Sequence, residues 1–416
     1  MMAQRRRVDR LKTLSFQPEY LRISLLTIIS FVVLRTFFDT YPLYNPAQFI
    51  FQCFFGIIFL LLISVIFLTL NFVEKQQLID RVGILIVLTI FIVTNMLSIW
   101  YRVSVPQMPL HDGATQIEYS YQLLKHGENP YEADFSPLFA DPHAPARTHF
   151  VYSPAVLYMS VPIFWISEKT INHIDLRMVL AISLLISGIL LMSFVNDKLL
   201  FSLLFFLNPI FLPFIWYGAN DSLVLLWISL SLVSLLKNKY SLATIFMAIA
   251  TATKIIALPF FPIYLVYVYL RSKKNWKFLF GQFALFISVN LILYGPFLIK
   301  NSSSLISDIL LYSLGGSNDT HHIAGVGGIQ LLSSLGLVNA NTSFPFYLIS
   351  LVALFSVIFL AVIVLKKRTT VATLSLTFVI CFLLLFSVTK IVQTNYLGFI
   401  SQFLVIGTFL HQNEYD

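Results

Sequence analysis

The sequence predicts an all-α, polytopic membrane protein, and three observations carry that prediction. Of 416 residues, 58% are hydrophobic and 11% are charged, whereas a soluble domain carries roughly 25% charged residues. Apolar runs recur from residue 21 to residue 410, and several reach the roughly 18–20 residues that a bilayer span needs. The net charge of +8 gathers in clusters that border those runs: "RRRVDRLK", "KNK", "RSKKNWK" and "KKR". Clusters so placed mark the cytoplasmic side of a membrane protein, and they argue against a nucleic-acid partner. Cys53 and Cys381 sit inside apolar runs as small hydrophobes and suggest neither a disulfide framework nor a metal site.

Arg5, Arg6 and Arg7 precede the first apolar run, which no small-residue cleavage site closes. Residues 1–20 therefore read as a basic cytoplasmic N-terminus before an uncleaved first helix. Spans at roughly 21–38, 49–72 and 82–100 then make up an N-terminal membrane segment over 21–100. Three crossings place a polar loop, 101–151, on the outer side. Within it, "GATQIEYSYQLLKHG" has helical spacing: Ile117, Tyr121 and Leu124 share a stripe, and Gly127 suits a C-cap. This is an amphipathic helix for the outer surface, with Asp112 at or just before its start. N-capping and catalysis are equally good readings of Asp112 from spacing alone.

Four apolar stretches follow before "KNK": 152–167, 177–195, 198–217 and 222–236. An even number of crossings would put "KNK" outside, so one stretch re-enters. The candidates are 152–167, with Pro154 and Pro162, and 198–217, with Asn208-Pro209 and Pro213. Either way "YGAND" (217–221) faces outward, where Asn220 and Asp221 precede an apolar helix and capping is the bland reading. Residues 241–270, between two basic loops, must rise and return as two short helices broken at "LPFFP". Lys254 then lies near the apex. An ionisable residue inside an apolar stretch is a functional candidate, and snorkelling to the interface is its ordinary alternative. A span at 277–298 leads to a polar outer loop at 300–343, a candidate lid holding His321-His322 and a glycine-rich "AGVGG". The last spans, over 344–416, bring Lys390 to an outer helix end. The sum is about eleven to thirteen membrane segments, some broken or re-entrant. No HxxxH, DxD or Cys/His spacing marks a metal site.

Acids, histidines and basic groups thus gather on one side of the bilayer, as a reaction on an anionic, lipid-borne substrate requires. In order along the chain, "HDGATQIEYSYQLLKHG", "ENPYE", "HFVYSPAVLYMSVP", "LNPIFLPFIWYGANDSLV" and "ATATKIIALPFFPIY" resemble the C-fold (GT-C) glycosyltransferases. Within that superfamily the sequence looks most like the polyprenyl-phosphate-mannose-dependent mannosyltransferases, including the catalytic subunit of GPI mannosyltransferase I and bacterial relatives. The likeness covers roughly residues 106–270. It implies an outer catalytic loop over 101–151 and a transmembrane core over 152–299.

The resemblance also implies a chemistry. A hexose, mannose favoured, passes from a polyprenyl phosphate to an acceptor hydroxyl on a lipid-linked or cell-surface glycan. Asp112 would be the general base. Lys254, helped by Arg102, Arg147 and Lys390, would steady the phosphate leaving group. Where the superfamily often shows two acids, here His111 precedes a lone Asp112, and Glu118 is the candidate second acid. Tyr152, Asn220, Asp221, His321 and His322 complete the expected substrate-binding set, with no metal and no cofactor. Direct displacement with one base favours inversion. The partners expected are the polyprenyl-linked donor, the glycan or glycolipid acceptor and membrane lipids. The expected setting is a bacterial plasma membrane, with the N-terminus cytoplasmic and the site extracytoplasmic. The competing reading is a transporter or flippase of a lipid-linked sugar. One-sided polar groups and the lack of evident repeat halves argue against it.

Overall fold

The computed structural model describes residues 76–105, 110–139, 147–312, 324–339, 346–389 and 391–412, with isolated helical positions between 25 and 36. The protein is an all-α polytopic membrane protein. Among the described residues, Asp80–Ser104, Trp276–Tyr312, Leu348–Lys367 and Val371–Val388 are long and apolar enough to cross a bilayer. Shorter apolar helices accompany them. The expected spans at 21–38 and 49–72 fall outside the described residues, isolated positions apart, and so does part of the expected total. The chain divides into two compact units: Met1–Thr94 with Asp197–Pro209, and Asn95–Asn196 with Ile210–Asp416.

Helix α1 (Gln76–Ser104) begins in the first unit, where Ile86, Val87, Ile90 and Phe91 are buried. The second unit contains α2 (Asp112–Lys125), α3 (Ala155–Ile171) and α4 (Leu176–Met192). The expected helix after Asp112 is present. His111 is its N-cap, Lys125 sits in its last turn, and Gly127 leaves it with φ +77°. Ile117 and Tyr121 face inward from it and are buried. Of the two stretches suspected of breaking, the first forms α3 with Pro162 inside it. The chain then turns back into α4 through 119° at Asn172, which takes a left-handed conformation. The second is the interrupted one: α5 (Lys198–Phe206) stops before Pro209, and α6 (Leu212–Tyr217) restarts with Pro213 in its first turn. Proline lacks the N–H that a helix interior needs, and a first turn does not need it.

Helix α7 (Asp221–Leu236) runs to "KNK" and packs against α4 and α8 (Tyr240–Thr253). The break expected at 254–262 is present. Lys254 is extended (φ −154°, ψ 128°), a single 3-10 turn follows at Ile255–Ala257, and α9 (Phe260–Arg271) restarts behind Pro259. Helix α10 (Trp276–Ile306) corrects one boundary. The polar run from Lys300 reads as the start of a loop, yet helical structure continues through Tyr312. The helix is interrupted at Asn301 (φ −159°, ψ 94°), whose Oδ1 accepts the Ser304 N–H at 3.1 Å and so caps a fresh turn. A two-residue strand β1 (Ala324–Gly325), α11 (Gly328–Ser334), α12 (Phe346–Lys367) and α13 (Val371–Val388) follow. Strand β2 (Ile391–Val392) pairs in parallel with β1, and α14 (Asn395–Gln412) packs along α13 and touches α6 and α7.

The link between "YGAND" and α2 positions the site. The His111 N–H donates to the Tyr217 carbonyl at 2.8 Å, and the His111 ring meets the Tyr217 ring edge-on at 5.7 Å. Gly218 (φ +91°) ends α6 with its Cα against Ala114 of α2, where a Cβ would come within 2.8 Å of the Ala114 Cβ. Gly127 has a similar dihedral (φ +77°) with open space around it. Both positions favour glycine, but Gly218→Ala adds a collision between helices. Gly218→Ala should therefore lower stability by about 1–3 kcal/mol and by clearly more than Gly127→Ala, as read by thermal unfolding in detergent. Equal losses would remove the packing role of Gly218.

Candidate functional site

Asp112 occupies the first helical position of α2, one residue inside the N-cap. The capping alternative therefore passes to His111, whose Nδ1 lies 3.1 Å from the Gly113 N–H. That same N–H donates to Asp112 Oδ1 at 2.8 Å, and His111 Nδ1 stands 2.8 Å from Asp112 Oδ1. His111 Nδ1 and Asp112 Oδ1 thus share the Gly113 N–H, and a proton on Nδ1 would exchange that cap for a hydrogen bond to Asp112. The Asp112 side chain remains 22% exposed, so a substrate can reach it. Tyr152 closes the inner side: a Cβ at position 113 would stand 1.9 Å from the Tyr152 Oη, so only glycine allows this approach. Burial, followed by the charges of Asp112 and Asp221, pushes the Tyr152 phenol well above its ordinary range. It stays protonated and able to donate.

The second half of the site comes from three helix ends. Lys254, at the break after α8, donates to Asp221 Oδ1 at 2.8 Å. Its side chain is 12% exposed and that of Asp221 is 1% exposed. The capping reading of Asp221 is thereby corrected. Asp221 sits one residue inside α7, and its carboxylate turns to Lys254 and to Asn395 Nδ2 instead of to the first N–H groups of its helix. Asn220, the residue before it, makes no side-chain cap. Its Nδ2 is buried and has no hydrogen-bond partner among the described residues. The Lys254 Nζ lies 5.0 Å from the centroid of the Tyr396 ring. Asp112 is close enough for its charge to act on both Lys254 and Tyr396. Two carboxylates and one ammonium from distant parts of the chain thus lie within electrostatic range of one another, with Tyr152 and Tyr396 beside them.

The other expected site residues lie elsewhere or serve differently. Glu118, buried at 6% exposure, takes both Arg102 guanidinium nitrogens at 2.8 and 2.6 Å and the Leu176 N–H at 2.8 Å. Arg102 also faces Asp175 at 3.4 Å. Asp175 in turn holds Arg177 at 2.6 Å, both fully buried, and Arg177 donates to the Trp216 carbonyl at 3.2 Å. Burial works to raise the Asp175 carboxyl, but Arg177, His173 and Arg102 outweigh it and hold it below the usual carboxylate range. This chain of charges ties α1, α2, α4 and α6 together around the site. Arg147 reaches the Ser136 carbonyl at 3.4 Å, in the loop after α2. Lys390, His321 and His322 lie outside the described residues.

Several contributors escape a reading of the sequence. Asp175 and Arg177, in "HIDLR", look like ordinary link residues between apolar runs. Asn395 and Tyr396 look neutral in an apolar tail. Asp308, placed within the expected outer loop, accepts from His149 at 2.6 Å and from the Phe150 N–H at 2.9 Å, which anchors the approach to Tyr152.

These features define an integral membrane protein whose helix ends enclose a charged centre. The model of glycosyltransferase family 87 matches residues 150–388, more than half of the chain, and the chain belongs to that family. It is a membrane glycosyltransferase of the C-fold type, as the order of its motifs implied. No curated protein matches the chain.

The Asp175–Arg177 pair is fully buried and the Lys125–Glu168 pair is 43% and 28% exposed, so their removal separates scaffold from surface. Asp175→Ala strands the Arg177 guanidinium and should cost about 3–5 kcal/mol. Lys125→Ala, which leaves the Tyr121 hydroxyl its bond to Glu168, should cost less than about 1 kcal/mol. Thermal unfolding of the two variants in detergent checks the difference, and similar values would deny the buried network its structural role.

Proposed function

We propose that the protein transfers a hexose, with mannose favoured, from a polyprenyl-phosphate sugar to a hydroxyl of a lipid-linked or cell-surface glycan. The reaction takes place at the extracytoplasmic face of the membrane, a bacterial plasma membrane being favoured. The observation that carries this reading is the buried Asp221–Lys254 pair, 2.8 Å apart, within electrostatic range of Asp112. Membership of a glycosyltransferase family supports transfer over translocation.

Asp112 takes the proton of the acceptor hydroxyl, and the oxygen attacks the anomeric carbon. The bond from that carbon to the phosphate oxygen breaks, and polyprenyl phosphate leaves with the electron pair. Lys254 meets the charge gathered on the phosphate. An ammonium has three N–H groups, one of which goes to Asp221, and it suits phosphate as a point charge. The lone Nδ2 of Asn220 and the phenol of Tyr152 are further donors for the sugar or phosphate. One base and a direct displacement favour inversion at the anomeric carbon. A cavity of about 310 Å³ supports a lipid-borne donor. It opens beside the same break and is lined by Ile255, Leu258, Phe286, Tyr294 and Ile309.

Incubation of the purified protein with a panel of polyprenyl-phosphate sugars, with released polyprenyl phosphate measured, tests this reading directly. Asp112→Asn should reduce transfer by about 100- to 10,000-fold while the protein remains folded in the membrane. Undiminished transfer removes Asp112 as the base. Lys254→Met should reduce donor turnover by about 100-fold or more and leave the acceptor KM unchanged. A defect confined to the acceptor counts against the phosphate role.

A further inference from the structure

The start of α14 supplies two groups to Lys254 from beyond the family-matched segment, which ends at residue 388. Asn395 is buried at 3% exposure, and its Nδ2 donates to Asp221 Oδ2. Both Asp221 oxygens are thus committed, one to Lys254 and one to Asn395, so the carboxylate cannot rotate away. Tyr396 presents its ring to the ammonium at 5.0 Å. The ring is itself held by stacking on Phe386, with centroids 5.0 Å apart and planes 20° apart. The path into this pair of residues is fixed as well. The Val326 N–H donates to the Val392 carbonyl at 2.8 Å, and Gly325 lies against that carbonyl so closely that a Cβ would come within 1.8 Å.

A lysine ammonium on a flexible four-carbon stem is poorly placed by its own covalent structure. Here Asp221 fixes one side of it and the negative face of an aromatic ring fixes another, leaving its remaining side for a ligand. An interaction of that kind restricts direction without neutralising the charge, which the carboxylate alone would largely do. We infer that Asn395 and Tyr396 are positioning residues for Lys254. Asn395 orients Asp221, and the ring face of Tyr396 orients the ammonium toward the donor phosphate. This role rests on the proposed reading of Lys254.

Donor and acceptor kinetics of the full-length protein in detergent or nanodiscs test it. Tyr396→Phe keeps the ring and should stay within about twofold of the unaltered protein in donor kcat/KM. Tyr396→Leu and Asn395→Leu should each lower donor kcat/KM by about 10- to 100-fold and leave the acceptor KM unmoved. In a Lys254→Met background, Tyr396→Leu should bring no further loss, because the group it positions is gone. If Tyr396→Leu does not fold, fluorinated phenylalanines at position 396 weaken the ring face without changing its shape. Donor kcat/KM should then fall stepwise with fluorine content. Indifference to fluorination, equal donor and acceptor defects, or a full additional loss in the Lys254→Met background would each overturn the inference. A protein inert toward every polyprenyl-phosphate sugar removes the phosphate reading of Lys254, and the positioning role falls with it. An active protein with unaffected Tyr396→Leu and Asn395→Leu variants removes the positioning role alone.

Discussion

The pairing of Lys254 with Asp221 is the constraint on which the site depends. An ammonium inside an apolar helical hairpin is costly unless a counter-charge meets it. Asp221 does so from the first position of α7, at the price of leaving its own helix without a carboxylate cap. The pair is also a poor device for stability, because well-packed apolar residues in its place would be as stable or more so. Its geometry makes sense as the fixing of a charge at a chosen point. The backbone agrees: α8 ends one residue before Lys254, and an extended residue followed by one 3-10 turn aims the side chain at α7 and α14.

A second charged network serves a different end. Glu118, Arg102, Asp175 and Arg177 exchange their hydrogen bonds with one another and with the Leu176 N–H and the Trp216 carbonyl. The network fixes the middle of α2 against α4 and the end of α6. The His111 N–H on the Tyr217 carbonyl and the contact of Gly218 with Ala114 fix the start of α2. Asp112 is consequently placed by two separate attachments, one at the adjacent His111 and one at Glu118 further along the same helix. The amphipathic helix needs both because its apolar stripe alone leaves its rotation about the stripe loosely set.

How far all this can be read from the sequence follows from the range of each interaction. The hairpin break is local: "LPFFP" removes backbone donors, and the structure breaks there. The helix after Asp112 is local too, as is the anomaly of a lysine in an apolar run. The partners are not. Asp221 is 33 residues from Lys254 and Asn395 is 174 residues from Asp221. Capping is the better local account of an aspartate before an apolar helix, and only the fold shows its side chain turned elsewhere. Glu118 illustrates the reverse. As an acid near Asp112 it invites a catalytic reading, while its three hydrogen-bond donors come from α1 and α4. The helical turn after Asn301 was hidden by a polar run whose composition suits a loop, since one cap restarts the helix within it.

The distribution of the site along the chain has a further consequence. The segment shared with family 87, 150–388, contains Tyr152, Asn220, Asp221 and Lys254, but neither Asp112 nor Asn395 and Tyr396. On the proposed reading, the shared segment carries the groups that meet the donor phosphate. The base and the residues that hold the lysine come from helices on either side of it. Asp112 reaches the centre through α2, which is latched onto the shared segment at Tyr217 and Gly218. Asn395 and Tyr396 reach it through a strand pairing between Gly325, inside the shared segment, and Val392, just past it. The C-terminal piece thus touches the Asp221–Lys254 pair, and the N-terminal piece brings Asp112 within electrostatic range of it. On the proposed reading, proton removal and phosphate departure occur within one displacement, which requires both pieces to be seated on the central segment at the same moment.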